Sequence, residues 1–343
     1  MKKNVIALLV VFFFLLSFRQ VSKVVFQFPD LFPAPTYDFK NNPLDSNKIE
    51  LGRLLFYDAI LSKGNSISCS TCHSPFNAFA HNDHNLSHGV NDKIGIRNAP
   101  VLFNLAWQPS FMWDGAVNHL DMQALAPISS ATEMGNNIVN VVNKLQNDPF
   151  YRDKFYGAYG DSIVTGEKVL KVLSQFQLTL VSANSKYDKV KRGNGEYTYQ
   201  ELKGYKLFQN NCNTCHQEPL FSTYGLAQNF IAIDSSLNDY GKGAISKSKE
   251  DSLLFKIPSL RNLEYSYPYM HDGRYYELNM VLNHYISRET KLKFKKGGLE
   301  KINLSEDEKV DLIAFLLTLN DKEFVFNTKH RFPRELLMKW KEG

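Results

Sequence analysis

Apolar residues recur at helical spacing in four stretches of the chain. Two are short: Glu50-Leu51-Gly52-Arg53-Leu54-Leu55-Phe56 and Glu201-Leu202-Lys203-Gly204-Tyr205-Lys206-Leu207-Phe208 both read as amphipathic helices. Thr198 and Glu201 form a capping box ahead of the second, and Asn47 with Glu50 is a weaker version ahead of the first. Two longer stripes follow, one through Val169, Leu170, Leu173, Phe176 and Leu180, the other through Val310, Ile313, Leu317 and their neighbours. Ser305 and Glu308 cap the latter. Stripes of this kind are packing faces. Residues 184–197 are polar, charged and glycine-containing, which predicts a linker. Strand patterning is scarce, so the fold class is mostly α.

Every cysteine falls in one of two copies of a single motif, Cys69-Ser70-Thr71-Cys72-His73 and Cys212-Asn213-Thr214-Cys215-His216. Cys-x-x-Cys-His is the attachment signature of c-type haem. The thiols form thioethers with the haem vinyl groups, and the histidine reaches the iron from the same turn. A zinc site would want four Cys or His ligands as paired half-sites, whereas each copy here has its own histidine. A thioredoxin-like pair or two disulfides are the remaining readings, and a histidine directly after both copies favours haem. A short helix, a haem motif and a closing helix therefore occur twice. That pattern describes two tandem cytochrome c-like domains with long haem-covering loops, spanning 38–185 and 196–330.

Composition agrees. A chain of 343 residues that is 43% hydrophobic can build two real cores. The net charge of +5 is spread along the chain, which argues against a nucleic-acid surface. Lys2 and Lys3 precede an almost wholly apolar run at 6–18, so residues 1–22 read as an export signal. The run suits a signal better than a membrane span. Phe18-Arg19-Gln20-Val21 makes a poor cleavage site, and an uncleaved signal anchor is the alternative. Export places the protein in the periplasm, where c-type haem is attached.

An electron carrier fills both axial positions of its iron, whereas a peroxidase needs an open sixth site with acid–base groups beside it. The first half offers such groups in Asn98-Ala99-Pro100, Phe111-Met112-Trp113-Asp114-Gly115, Gln123 and Glu133-Met134-Gly135. Added to these are Leu61-Ser62, Pro258-Ser259-Leu260-Arg261-Asn262 and Met270-His271-Asp272-Gly273. With both haem motifs, these segments resemble the bacterial di-haem cytochrome c peroxidase family, MauG-type enzymes included. The resemblance runs from about residue 37 onward. Each short motif is weak alone, and together they are specific.

The resemblance implies a peroxidatic N-terminal haem on His73 and an electron-transfer haem on His216. Glu133 would move a proton between the peroxide oxygens, Gln123 would orient the peroxide, and Trp113 would couple the haems. Without that context Glu133 would read as a solvated acid and Trp113 as a core residue. The loop at 80–89 holds His81, His84 and His88, and His88 matches a histidine that caps the peroxidatic iron at rest in many relatives. The other readings of this loop are incidental histidines or an adventitious metal site. On the second haem this chain departs from the peroxidases. Where they place a distal methionine, counting from Leu278 reaches Tyr285, as in MauG-type relatives; Met270 and Met280 are alternatives. Methionine raises a haem potential and an anionic tyrosine lowers it. Asn98 and the carbonyls of Lys256 and Pro258 would hold one calcium ion, which favours oxygen ligands. The Arg261 fork suits a haem propionate or a surface ion pair.

The expected activity is reduction of hydrogen peroxide to water with electrons from a small donor protein, a cytochrome c or cupredoxin. One alternative is a MauG-like oxidase acting on a partner protein through a ferryl state, and another is a non-catalytic electron-transfer cytochrome. A homodimer is left open.

Overall fold

The structure is a computed structural model that describes residues 24–287, 293–294 and 302–341. The segment read as a signal, 1–22, lies outside the described residues. Ten helices position the sites: α1 Ser46–Tyr57, α2 Cys69–Cys72, α3 Ile138–Asn147, α4 Pro149–Tyr159, α5 Gly166–Leu178, α6 Lys186–Lys191, α7 Tyr199–Asn211, α8 Leu278–Ile286, α9 Glu306–Leu317 and α10 Arg334–Lys341. A small antiparallel sheet has the order β2-β1-β3, from β1 Leu226–Gln228, β2 Phe255–Lys256 and β3 Lys293–Phe294. Leu226 opposes Lys256, and Ala227 opposes Phe294.

Each core is organised by one helix crossing. In the first, α1 lies against α5 at Gly52, where a Cβ would fall 1.8 Å from the Val172 carbonyl oxygen. In the second, α7 lies against α9 at Gly204, where a Cβ would fall 1.9 Å from the Asp311 carbonyl oxygen. Only glycine lets two helix backbones approach this closely. Phe176 and Phe315, both buried, sit beside the respective crossings. The short helices ahead of the two haem motifs are thus each docked on the closing helix of their own half.

The first core is the larger. Leu51, Leu54, Leu55 and Phe56 of α1 pack with Val169, Leu170, Leu173 and Phe176 of α5. Phe324, Val325 and Leu337 return from the far end of the chain to join them. The second core gathers Phe208, Phe221, Leu312, Phe315, Leu316 and Leu319.

Several sequence expectations change here. The second closing helix buries Leu312, Phe315 and Leu316, whereas Val310 is 55% and Leu317 42% exposed. Its core face is therefore rotated from the predicted stripe. Helix α1 starts earlier than Asn47 suggests. Its cap is Asp45, whose side chain accepts from the backbone N–H groups of Asn47 and Lys48. The capping boxes at Thr198 and Ser305 are present.

The predicted linker contains α6, closed by its own capping box from Ser185 and Asp188. Asp188 is fully buried and meets the Arg261 guanidinium at 2.8 and 2.7 Å. Arg261 also donates to the Pro219 carbonyl. Its fork is occupied within the protein, so neither the propionate nor the surface pair describes it. Burial alone would raise the Asp188 carboxyl. Arg261 and Ser185 outweigh that and hold it below the usual carboxylate value.

Two stability experiments test these interactions. Gly204→Ala should destabilise by about 1–3 kcal/mol in denaturant unfolding, because two backbones must part. Gly157→Ala, in α4 with open space around its Cβ position, should instead gain about 0.5–1 kcal/mol. Asp188→Asn strands a buried guanidinium and should cost about 3–5 kcal/mol. A carboxylate with a lowered folded pKa stabilises above its unfolded pKa and loses that contribution as pH falls through the folded value. The gap between wild type and Asp188→Asn should therefore close in acid, and a gap absent at neutral pH would show the pair to be dispensable.

Candidate functional site

The two haem motifs have the same local build. Cys69–Cys72 is a single helical turn, and His73 follows with its backbone N–H on the Cys69 carbonyl at 2.9 Å. At the second site Cys212 caps α7, and the His216 N–H meets the Cys212 carbonyl at 2.9 Å. Each histidine turns Nδ1 toward backbone carbonyls. His73 meets Phe79 at 2.8 Å, and His216 meets Pro258 at 3.1 Å and Phe221 at 3.3 Å. Phe79 and Phe221 are fully buried and adopt left-handed backbone angles, φ 59° and 53°. A carbonyl on Nδ1 fixes the tautomer that leaves Nε2 for a metal. Burial lowers both imidazoles to about 4, which keeps them in the neutral, ligating form.

None of the four cysteines is in a disulfide. Burial raises the thiols of Cys69 and Cys212 to about 12, and those of Cys72 and Cys215 to about 11. An environment that favours the neutral form suits neutral thioethers rather than thiolate ligands.

A largely apolar cavity of about 250 Å³ opens beside Cys212, Cys215 and His216. Residues of both halves line it, including Trp113, Gln123, Met270 and Tyr285. Tyr224, also in its wall, has a buried hydroxyl without a hydrogen-bond partner in the described residues. An apolar slot with two thiols, a neutral imidazole and an orphaned hydroxyl fits a haem.

Tyr285 projects into this cavity from α8, and burial pushes its hydroxyl up to about 12. Asn229, which no sequence signal marked, hydrogen-bonds Tyr285 and opposes that rise. The same side chain donates to the Met270 sulfur at 3.4 Å. The structure thus brings Tyr285 and Met270 to one wall. Met280 is 41% exposed and lies outside the lining.

Glu133 stands at the first haem motif, close enough to raise the Cys69 and Cys72 thiols electrostatically. Burial raises its own carboxyl, against the pull of Ser130 and Arg97. Its backbone is clamped: the Val90 N–H donates to the Glu133 carbonyl at 2.8 Å, and a Cβ on Gly89 would fall 2.4 Å from the same oxygen. The His88–Gly89 loop is therefore built against Glu133. His88 pairs with Asp92 at 2.7 Å and stacks on His84 at 4.2 Å, and its carbonyl accepts from the Cys72 thiol at 3.6 Å. Among the described residues no group of three or more His, Cys, Asp or Glu forms a metal site, this loop included. Gln123 hydrogen-bonds Gln177 and Met112 rather than Glu133.

Trp113 lies between the two halves. Its indole N–H donates to the Asn98 carbonyl at 2.9 Å, and its own carbonyl accepts from the Lys256 N–H at 2.6 Å. Nearby, Arg97 bridges Asp114 of the first half and Asp239 of the second, with contacts of 2.6–2.8 Å. Asn98, Lys256 and Pro258, the expected calcium ligands, line the same cavity. Their oxygens fit calcium in kind, but the surrounding charge does not. No carboxylate belongs to the set, the Pro258 carbonyl already serves His216, and the Lys256 ammonium lies within its own side-chain length.

The chain is 34% identical over 302 residues to the methylamine utilization protein MauG of Methylophilus methylotrophus, covering 86% of this chain and 88% of that protein. The family model for di-haem cytochrome c peroxidase matches residues 46–196, and that for cytochrome c matches residues 202–320. The chain belongs to the di-haem cytochrome c peroxidase family. Members of that family carry two covalently bound c-type haems, and so does this chain. A second relative is the cytochrome c551 peroxidase of Nitrosomonas europaea, 32% identical, with 81% of each chain covered. Among solved structures, a MauG-like protein associated with microbial copper homeostasis superposes with a TM-score of 0.79 at 27% identity, covering 90% of this chain and 99% of that one. The diheme peroxidase BthA of Burkholderia thailandensis shares the fold at a TM-score of 0.71 and 21% identity, with 83% and 88% covered.

Sequence reading missed the carbonyls of Phe79 and Phe221, the hydroxyl of Tyr224 and the amide of Asn229. None of these has a sequence signature, because each acts through position alone. The Lys256 side chain did carry a signal, a lone charge in the apolar run Leu253-Leu254-Phe255-Lys256-Ile257-Pro258.

Proposed function

We propose that the chain is an exported peroxidase that reduces hydrogen peroxide to water, consuming two protons and two electrons. A small redox protein supplies the electrons one at a time. The observation that carries this reading is Glu133, a carboxyl raised by burial and clamped beside Cys69 and Cys72. The bound haems supply the redox chemistry. Glu133 would take a proton from one peroxide oxygen and deliver it to the other, as a carboxyl of raised pKa suits. Gln123 would hold the peroxide, and the His88–Gly89 loop would keep Glu133 in register. Trp113, held by its indole N–H on the Asn98 carbonyl and by its own carbonyl on the Lys256 N–H, would couple the haems. Among the described residues no helix is long and apolar enough to cross a membrane, and the periplasmic placement rests on the N-terminal segment and the haem motifs.

Tyr285 favours a second reading, an oxidase that withdraws electrons from a partner protein, with the phenol as distal ligand of the second haem. Steady-state peroxide reduction with a reduced cytochrome donor, run beside low-temperature EPR, separates the two. Peroxide reduced at the expense of an added partner protein, with the cytochrome donor left reduced, would favour the oxidase.

Glu133→Gln should keep both haems and lose about 10²–10⁴ in turnover; undiminished turnover would remove Glu133 from the mechanism. Tyr285→Phe should alter the EPR signal of one haem alone. Two unchanged signals would exclude the phenol as a ligand.

A further inference from the structure

The side chain of Lys256 has no part in the proposed peroxide chemistry. It leaves β2 at the layer between the two halves. Its Nζ donates to the Gln108 side-chain oxygen at 2.7 Å and to the Ser110 carbonyl at 3.2 Å. Both acceptors are neutral and belong to the first half, while Lys256 belongs to the second. Its backbone N–H holds the Trp113 carbonyl at 2.6 Å. Two residues on, the Pro258 carbonyl receives the Nδ1–H of His216. Lys256, Gln108 and Trp113 line one cavity with His216 and Tyr285.

A buried ammonium is costly unless it is paired or used. Burial pulls the Lys256 ammonium down to about 8, still above neutral pH, against the pull of Asp114, and Asp114 already pairs with Arg97 at 2.6 Å. The charge on Lys256 is therefore solvated by neutral oxygens and is not cancelled by an ion pair of its own. We propose that the Lys256 ammonium is the resident positive charge of the inter-haem layer, where it holds up the potential of the second haem and stands in place of a divalent cation.

The physical chain is short. A reduced haem iron carries one positive charge fewer than an oxidised one. A fixed cation in a low-dielectric layer therefore favours the reduced form. A tyrosine ligand works in the opposite direction, and Lys256 offsets it. The same charge repels calcium from the oxygens of Asn98, Lys256 and Pro258. Lys256 is a positioning and electrostatic residue, since its contacts are with Gln108, Ser110 and Trp113.

The test is a mediated redox titration of the haem-loaded full chain. One electron passes from a reduced mediator to the ferric second haem, which becomes ferrous as the mediator is oxidised. In Lys256→Met the reduced-to-oxidised ratio of that haem at a fixed poise should fall about tenfold, or about 59 mV for one electron. The first haem should move less, and Lys256→Arg should restore the potential. If Lys256→Met does not retain haem, Lys256→Gln, which keeps donors for Gln108 and Ser110, is titrated instead. Unchanged potentials in the neutral variant, or an arginine variant that behaves like it, would overturn the proposal. Treating the wild type with a calcium chelator should leave both haem spectra as they were; a change reversed by added calcium would also overturn it. The readout is a potential, so it is decided separately from peroxide turnover.

Discussion

Everything near the haem motifs depends on a contact in which two helix backbones touch with no side chain between them. It occurs twice, at Gly52 against Val172 and at Gly204 against Asp311. The crossing sets the direction in which each leading helix ends. Helix α7 runs directly into Cys212, and α1 reaches Cys69 through a short connection. The closing helices stack Phe176 and Phe315 at the crossings, so each core begins where its motif is aimed. A Cβ at either glycine would push the leading helix away from its partner and carry the attachment cysteines with it.

On this shared plan the two sites diverge. The first is surrounded by groups that can move protons: Glu133 with its raised carboxyl, and the His88 loop wedged against it. The second is surrounded by groups that settle charge: the Tyr285 phenol held by Asn229, the orphaned Tyr224 hydroxyl and the Lys256 ammonium. Trp113 lies where the two sets meet, its indole N–H on the Asn98 carbonyl and its backbone carbonyl on the Lys256 N–H.

Much of this was legible in the chain because it rests on local patterns. The haem motifs, the caps at Thr198 and Ser305 and the stripe from Val169 to Phe176 all follow from short-range spacing. The failures come from contacts that spacing cannot report. Val310 and Leu317 have the right chemistry for a core face, but the crossing at Gly204 turns Leu312, Phe315 and Leu316 inward. Within the polar segment 184–197, Asp188 answers a buried Arg261 that is distant in sequence. The phenol of Tyr285 was found by counting, whereas the amide that holds it, Asn229, lies in an irregular segment with no periodicity to read.

The return of the C-terminal segment to the first core reaches as far as the first haem motif. Phe324 and His330 pack on Phe79, whose carbonyl orients His73, and the Tyr57 hydroxyl donates to the His330 carbonyl. The first core is therefore completed by residues more than 200 positions away in sequence, and a change at Phe324 would loosen the support of Phe79 and, through it, the aim of the His73 imidazole.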